Sequence, residues 1–359
     1  MGTNNSTGDP TFTMFRYIVE DFLLVLSIIA TVFNIVVLLC AMRLFRKTQD
    51  TIHLFIFCMT VGDLILTMFC QPGELLVRKN EFLHIATFCA VVSFFSWIGL
   101  AISGLSLTLL NVDKLIYFRW PLHYERAMSK RAIFFCALIW VLSVGFVTYC
   151  WIFDIVYIHN YDCSLQLRAD KRYYYEIFTI LFCVFPVLSS LSVSVYLFNL
   201  TRKKRNAIVA RDAKGFKRKM KSLIFIFATT TWTSFSLLPY RIMNLGRIHF
   251  FVWAELTAEE QEFLSWIYWP LLYLLSLNPI INPLITIITY TPYRLLIKGY
   301  LLYIPGNGNG SRKSFRSSNF GSFSKSLPRR LTNDDLKIKR DSDVTETSAA
   351  QDTTKPTTF

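Results

Sequence analysis

Asp63 is the only charged residue in the apolar stretch Thr51 to Gly73. A carboxylate held at mid-bilayer depth is expensive unless it faces a wet or paired interior, so it needs partners from other parts of the chain. Two sets are available. Ser96, Gly99, Ser103, Ser106 and Asp113 recur at three- and four-residue spacing and would line one face of a helix. Asn278 and Asn282 are four apart on one face of another, where Pro279 and Pro283 each remove a backbone donor and free the carbonyls of Leu275 and Pro279. Asp63, Ser103, Asn278 and Asn282 together offer oxygen ligands suited to a hard cation. The plainer alternative is a hydrogen-bonded network with water around a protonated Asp63. No pattern for catalysis stands beside these residues: HExxH, nucleotide loops and paired catalytic carboxylates are missing, and His53, His84, His123, His159 and His249 have no ligand spacing. The chain is not expected to be an enzyme.

The elements that must position these residues follow from composition. The chain has 359 residues, 53% hydrophobic and only 17% charged, yet it carries a formal net charge of +14. Soluble domains average about 25% charged residues. Runs without Asp, Glu, Lys or Arg extend over Phe22 to Met42, Ile85 to Val112, Ala132 to Phe153, Ile177 to Thr201, Ser222 to Tyr240 and Phe263 to Tyr293, and Thr51 to Gly73 makes a seventh interrupted by Asp63. A helix needs about 20 residues to cross a hydrocarbon core, so seven spans are expected and the fold class is an all-α membrane bundle.

Charge sets the orientation. With the N-terminus outside, the inner segments 43–50, 114–131, 201–221 and 289–359 hold 30 of the 38 Lys and Arg residues. The basic balance is then membrane topology, with anionic lipids as partners of the inner face and no nucleic acid. The N-terminus matches a myristoylation pattern at Gly2 and two overlapping glycosylation sequons at Asn4 and Asn5. An outer N-terminus favours the sequons. The expected organisation is an extracellular N-terminus over 1–16, a seven-helix bundle over 17–290, a membrane-surface helix over 291–305 and a disordered cytoplasmic tail over 306–359. The tail is rich in Ser and Thr, including Ser314, Ser317, Ser318, Ser342, Thr345 and Thr347, which suits phosphorylation.

Cys89, at the outer end of the third span, and Cys163, in the loop after the fourth, both face an oxidising compartment. A disulfide between them is expected, with Cys150 and Cys70 as weaker rival partners.

Asn34, Asp63, Cys89, Asp113-Lys114-Leu115 followed by Pro121-Leu122-His123-Tyr124, Trp140, Pro186, Pro239 and Asn282-Pro283 fall in the order and spacing of rhodopsin-like, class A, G-protein-coupled receptors. The chain resembles that family over about residues 17–300. The resemblance implies a plasma-membrane receptor that binds an extracellular ligand in its outer half and couples to a heterotrimeric G protein, with arrestin as a partner of the phosphorylated tail. It also implies that Asp63, Ser103, Asn278 and Asn282 form the family's sodium pocket. The position where amine-binding members carry an Asp, seven residues after the third-span Cys, is Ser96, which argues against a monoamine. Arg241, two residues after Pro239, faces the family's ligand region and is suited to bidentate recognition of a carboxylate or phosphate. Trp97, Tyr240, Asn244, Tyr273 and Ser276 would supply aromatic walls and hydrogen bonds. An internal ion pair between Arg241 and Glu74 is the competing expectation. A small polar or acidic ligand is favoured, with a peptide ligand or a weakly or non-signalling seven-helix membrane protein as alternatives.

The cytoplasmic motifs depart from the family. Asp-Arg-Tyr reads Asp113-Lys114-Leu115, the acid at the foot of the sixth helix is Lys219, and the Tyr of Asn-Pro-x-x-Tyr is Thr286. The inward Tyr of the fifth helix is Ser194, and the Trp before Pro239 is Leu237. The familiar ion pair between the third and sixth helices cannot form, and Lys114 opposite Lys219 would repel.

Overall fold

In the computed structural model the described residues are 10–83, 86–153, 157–158, 166–167, 172–207, 213–250 and 256–302. The chain divides into two compact units, 1–302 and 303–359, and the second lies outside the described residues, as do Asn4, Asn5 and Cys163. The first unit is a helical bundle. Its elements are α1 (Pro10–Thr48), α2 (Thr51–Lys79), α3 (Ala86–Arg119), α4 (Pro121–Ile152), α5 (172–207), α6 (Ala213–Phe250), α7 (Ala258–Ser276), α8 (Asn278–Thr289) and α9 (Thr291–Leu302). Helices α1 to α6 are each long and apolar enough to cross a bilayer, and α7 with α8, bent by 41° at their junction, makes a seventh span. Strands β1 (Tyr157–Ile158) and β2 (Gln166–Leu167) pair antiparallel after α4 and are the one non-helical element among the described residues. Helix α1 starts at Pro10, so residues 10–16, expected in the N-terminal segment, are already helical.

The buried face of α1 explains how it docks. Glu20, Leu23, Ser27, Ala30, Asn34, Val37, Ala41 and Leu44 are buried at alternating three- and four-residue steps, while Phe22, Val25, Ile28, Ile29 and Val32 are exposed. Lipid tails are as apolar as these exposed side chains, so they give no force for docking. Association inside a membrane relies on packing and interhelical hydrogen bonds. The polar residues on the buried face repeat every seven. Glu20 accepts from Tyr273 Oη at 3.2 Å, Ser27 Oγ donates to the Thr67 carbonyl at 2.6 Å, and Asn34 Nδ2 donates to the Pro279 carbonyl at 3.1 Å. Pro283 cannot donate to that last carbonyl, so Asn34 satisfies an acceptor that the proline orphaned.

Prolines also account for the irregular turns. A π-turn at Leu66–Cys70 lies just before Pro72 in α2, and another at Thr179–Val184 lies just before Pro186 in α5. Each widens the helix where the proline ring would otherwise meet the carbonyl four residues back. Helix α2 is capped by Asp50, whose side chain accepts from the Ile52 amide at 3.2 Å. At the start of α7, Thr257 and Glu260 cap each other reciprocally.

Helices α2 and α3 approach closely at Gly62 and Gly99. A Cβ on Gly62 would lie 2.8 Å from the Gly99 carbonyl oxygen and 2.9 Å from the Ser103 amide nitrogen. Only a hydrogen side chain allows this approach, and it brings Asp63 and Ser103 within bonding distance.

Candidate functional site

Three polar layers lie along the bundle. In the middle, Asp63 is 1% exposed. Ser103 Oγ donates to its Oδ1 at 2.7 Å and Asn282 Nδ2 donates to its Oδ2 at 3.0 Å. Asn278 is turned to α6, where its Oδ1 accepts from Ser236 Oγ at 3.2 Å. Asn282 Oδ1 and Ser106 Oγ are buried without a hydrogen-bond partner. An orphaned oxygen is costly in a low-dielectric interior, and Asn282 Oδ1, on the amide that bonds Asp63, together with that carboxylate suits a hard cation.

The outer layer divides the expected ligand contacts into two groups. Trp97 stacks on Phe178 with centroids 4.2 Å apart and approaches Tyr175 at 5.8 Å. Tyr175 Oη in turn accepts from Asn244 Nδ2 and, at 3.5 Å, from Arg241 Nη1. Tyr240 meets Tyr268 through their hydroxyls at 2.9 Å. Trp97, Tyr240, Arg241 and Asn244 therefore share one region through Tyr175 and Tyr268. Tyr273 and Ser276 belong elsewhere: Tyr273 bonds Glu20 on α1, and the Ser276 carbonyl accepts from Gln71 Nε2 on α2 at 2.6 Å.

The two outer charges do not meet. Arg241 is 5% exposed and its Nε has no hydrogen-bond partner. Among the described residues no acidic oxygen lies within 4.0 Å of it, so the internal pair with Glu74 is not formed. Ser96 is the polar neighbour of Glu74 on α3, and the charge of Arg78 acts on Glu74 more strongly than that of Arg241.

Glu20 is a feature the sequence reading missed. It is 3% exposed and pairs with Arg78 at 3.4 Å and Arg16 at 3.8 Å. Both guanidiniums lie over the Trp269 ring, at 5.0 and 3.8 Å from its centroid. The signal for it is the seven-residue repeat of Glu20, Ser27 and Asn34, which begins outside the charge-free run Phe22 to Met42.

The inner layer shows how the altered motifs are accommodated. Lys114 Nζ lies 3.0 Å from Asp113 Oδ2 and 3.7 Å from Asp50 Oδ1, and Thr51 Oγ1 donates to Asp113 Oδ1 at 2.9 Å. Burial pushes the Asp50 carboxyl up, but the Lys114 ammonium, His53 and the Ile52 amide outweigh it and hold it below the usual carboxylate range. Lys114 is thus tied to its own helix and to the cap of α2. The Lys219 side chain lies outside the described residues, and Pro121 opens α4 in its first turn. The contact between α3 and α6 is made one turn deeper. Asn111, fully buried, donates to Thr230 Oγ1 at 3.1 Å, and its Oδ1 accepts from Ser194 Oγ at 2.7 Å. Thr286 bonds back to the Asn282 carbonyl at 3.0 Å, and Tyr290, one turn further, stacks on Phe225 of α6 at 5.3 Å.

Seven apolar spans with a polar centre around Asp63 and an Asp113-Lys114 pair toward one end make a seven-helix membrane bundle. The family model for the 7 transmembrane receptor (rhodopsin family) matches residues 33–285, and the chain belongs to that family. It is 28% identical over 275 residues to the G-protein coupled receptor aex-2 of Caenorhabditis elegans, covering 75% of this chain and 79% of that one. It is also 27% identical to galanin receptor 2b of Danio rerio, covering 61% of this chain and 59% of that one. The RYamide receptor of Tribolium castaneum is 24% identical, with 55% and 59% covered. Cys89 is disulfide-bonded, and Cys40, Cys58, Cys70, Cys136, Cys150 and Cys183 are free; Cys163, the expected partner, lies outside the described residues.

Proposed function

We propose that this receptor sits in the plasma membrane with its N-terminus outside, binds an extracellular ligand that presents an anionic group to Arg241, and signals to a heterotrimeric G protein. The observation that carries the ligand reading is the buried guanidinium of Arg241, which has an unpartnered Nε and no carboxylate within 4.0 Å among the described residues. A buried charge left unmatched costs far more than a matched one, and a planar fork of donors suits a carboxylate or phosphate. A monoamine would leave that fork unmet. The size of the ligand is a separate matter. Two of the relatives are named as galanin and RYamide receptors, which favours a peptide carrying the acidic group as the second reading.

The test is a screen of amines, acidic metabolites, amino acids and peptides in cells expressing the receptor with a promiscuous G-protein reporter. Acidic activators should lose at least tenfold in potency in Arg241→Gln. Equal potency in both proteins removes Arg241 from recognition.

Sodium is proposed for the middle layer, with Asp63, Ser103 and Asn282 holding it and Asn278 kept at the side by Ser236. Bound there, the ion would neutralise the Asp63 carboxylate. Phosphorylation of the tail and its capture by arrestin, and contact of the basic inner segments with anionic lipid, complete the proposed partners.

A further inference from the structure

A narrow cleft of about 90 Å³ separates α5 from α6 in the half of the bundle that ends at the basic segment 202–221. Leu197 and Ile226, each 1% exposed, and the buried Leu223 form its floor. Phe198, Ile224 and Phe227 form its rim and are 51%, 54% and 40% exposed, so the cleft opens to the outside of the bundle. Phe198 and Phe227 stack across it with ring centroids 5.8 Å apart. Two hydroxyls also line the cleft, and both are engaged: Ser194 Oγ donates to Asn111 Oδ1 at 2.7 Å, and Thr201 Oγ1 donates to the Leu197 carbonyl. What remains of the lining is hydrocarbon, which calls for an apolar occupant.

The depth of the cleft selects that occupant. Thr201 is the last residue of the charge-free run in α5, and Leu223 is the second of the run in α6. From Thr201 to Ser194 the cleft extends about 10 Å into the hydrocarbon at 1.5 Å per residue, so its mouth faces acyl chains. The space is smaller than the roughly 150 Å³ cavity that takes benzene, which suits a linear chain better than a ring. Charge selects the headgroup. Arg202, exposed, follows Thr201 directly, and Lys221 precedes Leu223 by two residues. The segment 202–221 that joins the two helices carries ten Lys and Arg residues against the single acid Asp212, and no acidic residue occurs from Ser194 to Arg202 or from Lys221 to Phe227. Each basic residue beside the inner face of a membrane strengthens the binding of anionic lipid about fivefold.

We propose that an anionic phospholipid of the inner leaflet binds here, with one acyl chain lying in the cleft between α5 and α6 and its phosphate at Arg202 and Lys221. This rests on the reading that the basic inner segments meet anionic lipid, and it adds a defined site on the bundle. The chain supplies dispersion contacts to Leu197, Leu223 and Ile226 that an empty slot forfeits. It also bridges α5 and α6 in the arrangement in which Ser194, Asn111 and Thr230 are joined.

The experiment uses the full chain in bilayer discs containing a phospholipid with a photoactivatable group on one acyl chain, as phosphatidylserine or as phosphatidylcholine. Labelled peptides are located by mass spectrometry. Labels on 194–201 and 223–227 should exceed those on the exposed face of α4 around Ile133, Leu138 and Val141 several-fold. The serine probe should label the cleft about fivefold or more over the choline probe, and the preference should fall toward parity in the double variant Arg202→Gln, Lys221→Gln. Ile224→Trp, which enlarges a rim residue on the lipid side, should remove the cleft labels. Equal labelling of the cleft and α4, or cleft labels that persist in Ile224→Trp, would overturn the site. Enrichment of phosphatidylserine around the receptor without cleft labels would overturn it too, while leaving the reading of the basic segments intact. Equal labelling by the choline probe would make the occupant any bilayer chain, and receptor dimers joined through the cleft would make it a second copy; either result ends the proposal.

A measurement on the unaltered receptor covers variants that fail to fold. In detergent, added phosphatidylserine should raise the melting temperature, whereas glycerophosphoserine, which has the headgroup and no chains, should not. An equal rise with the headgroup alone would remove the acyl chain from the cleft.

Discussion

Asn111 on α3 donates a 3.1 Å hydrogen bond to the hydroxyl of Thr230 on α6, and the same side chain accepts from Ser194 on α5 at 2.7 Å. One amide therefore ties together three helices, a turn deeper along α3 than Lys114, where the missing ion pair between α3 and α6 would have acted. Its partners are almost fully buried, Thr230 at 0% and Ser194 at 4% exposure. Hydrogen bonds between membrane helices are worth about 0.6 to 2 kcal/mol. Thr230→Val, which keeps the shape and removes the hydroxyl, should therefore raise ligand-independent G-protein turnover roughly three- to thirtyfold if α6 must leave α3 for signalling. Basal turnover in membranes checks this, and an unchanged or lower value would show that α6 is held by other contacts such as Tyr290 on Phe225.

Asp50 has two roles that substitution can separate. It caps α2 and it faces the Lys114 ammonium at 3.7 Å. Asp50→Ser keeps a capping oxygen and removes the charge, whereas Asp50→Ala removes both and should cost about 1 kcal/mol more in stability. Basal signalling should rise to a similar extent in the two variants while thermal stability falls mainly in the alanine form. Because the folded-state pKa of Asp50 is depressed, its tie is present above the ordinary carboxylate range and is lost only as pH falls through that depressed value. Basal turnover should therefore show no Asp50-dependent change between about pH 5 and 8.

Asp63 gives the test for sodium. Replacing choline by sodium should raise the melting temperature of purified receptor by an amount equivalent to about 1–3 kcal/mol, as expected for an ion well above its dissociation constant. The increment should vanish in Asp63→Asn. A sodium increment of equal size in the variant would assign the effect to another part of the molecule.

Glu20 joins α1 to α2 and α7 through Arg78 and Tyr273. Arg16 and Arg78 retain 34% and 27% side-chain exposure, so solvent screens the pairs and the contribution is smaller than that of a fully buried pair. Glu20→Gln should lower stability by about 1–2 kcal/mol, and Tyr273→Phe by about 1 kcal/mol, both read as shifts in the thermal unfolding of purified receptor. Measured shifts that sum in the double variant would mean that the tyrosine acts independently of the carboxylate.

The membrane spans, the family and the bond between Asp63 and its partners Ser103 and Asn282 were legible in the sequence. The cost of placing charge in hydrocarbon is local and is written directly into composition, and a three- to four-residue repeat tells which side chains of one helix share a face. The tertiary structure alone decided which faces meet. Asn278 turned to Ser236, Tyr273 and Ser276 turned toward α1 and α2, Lys114 was captured by Asp50, and Arg241 came to rest on Tyr175 without an acidic partner. Each outcome depends on the rotation and depth of one helix against another. Those are set by close approaches such as Gly62 on Gly99 and by proline-induced π-turns and bends, and the periodicity of a single helix carries no record of them.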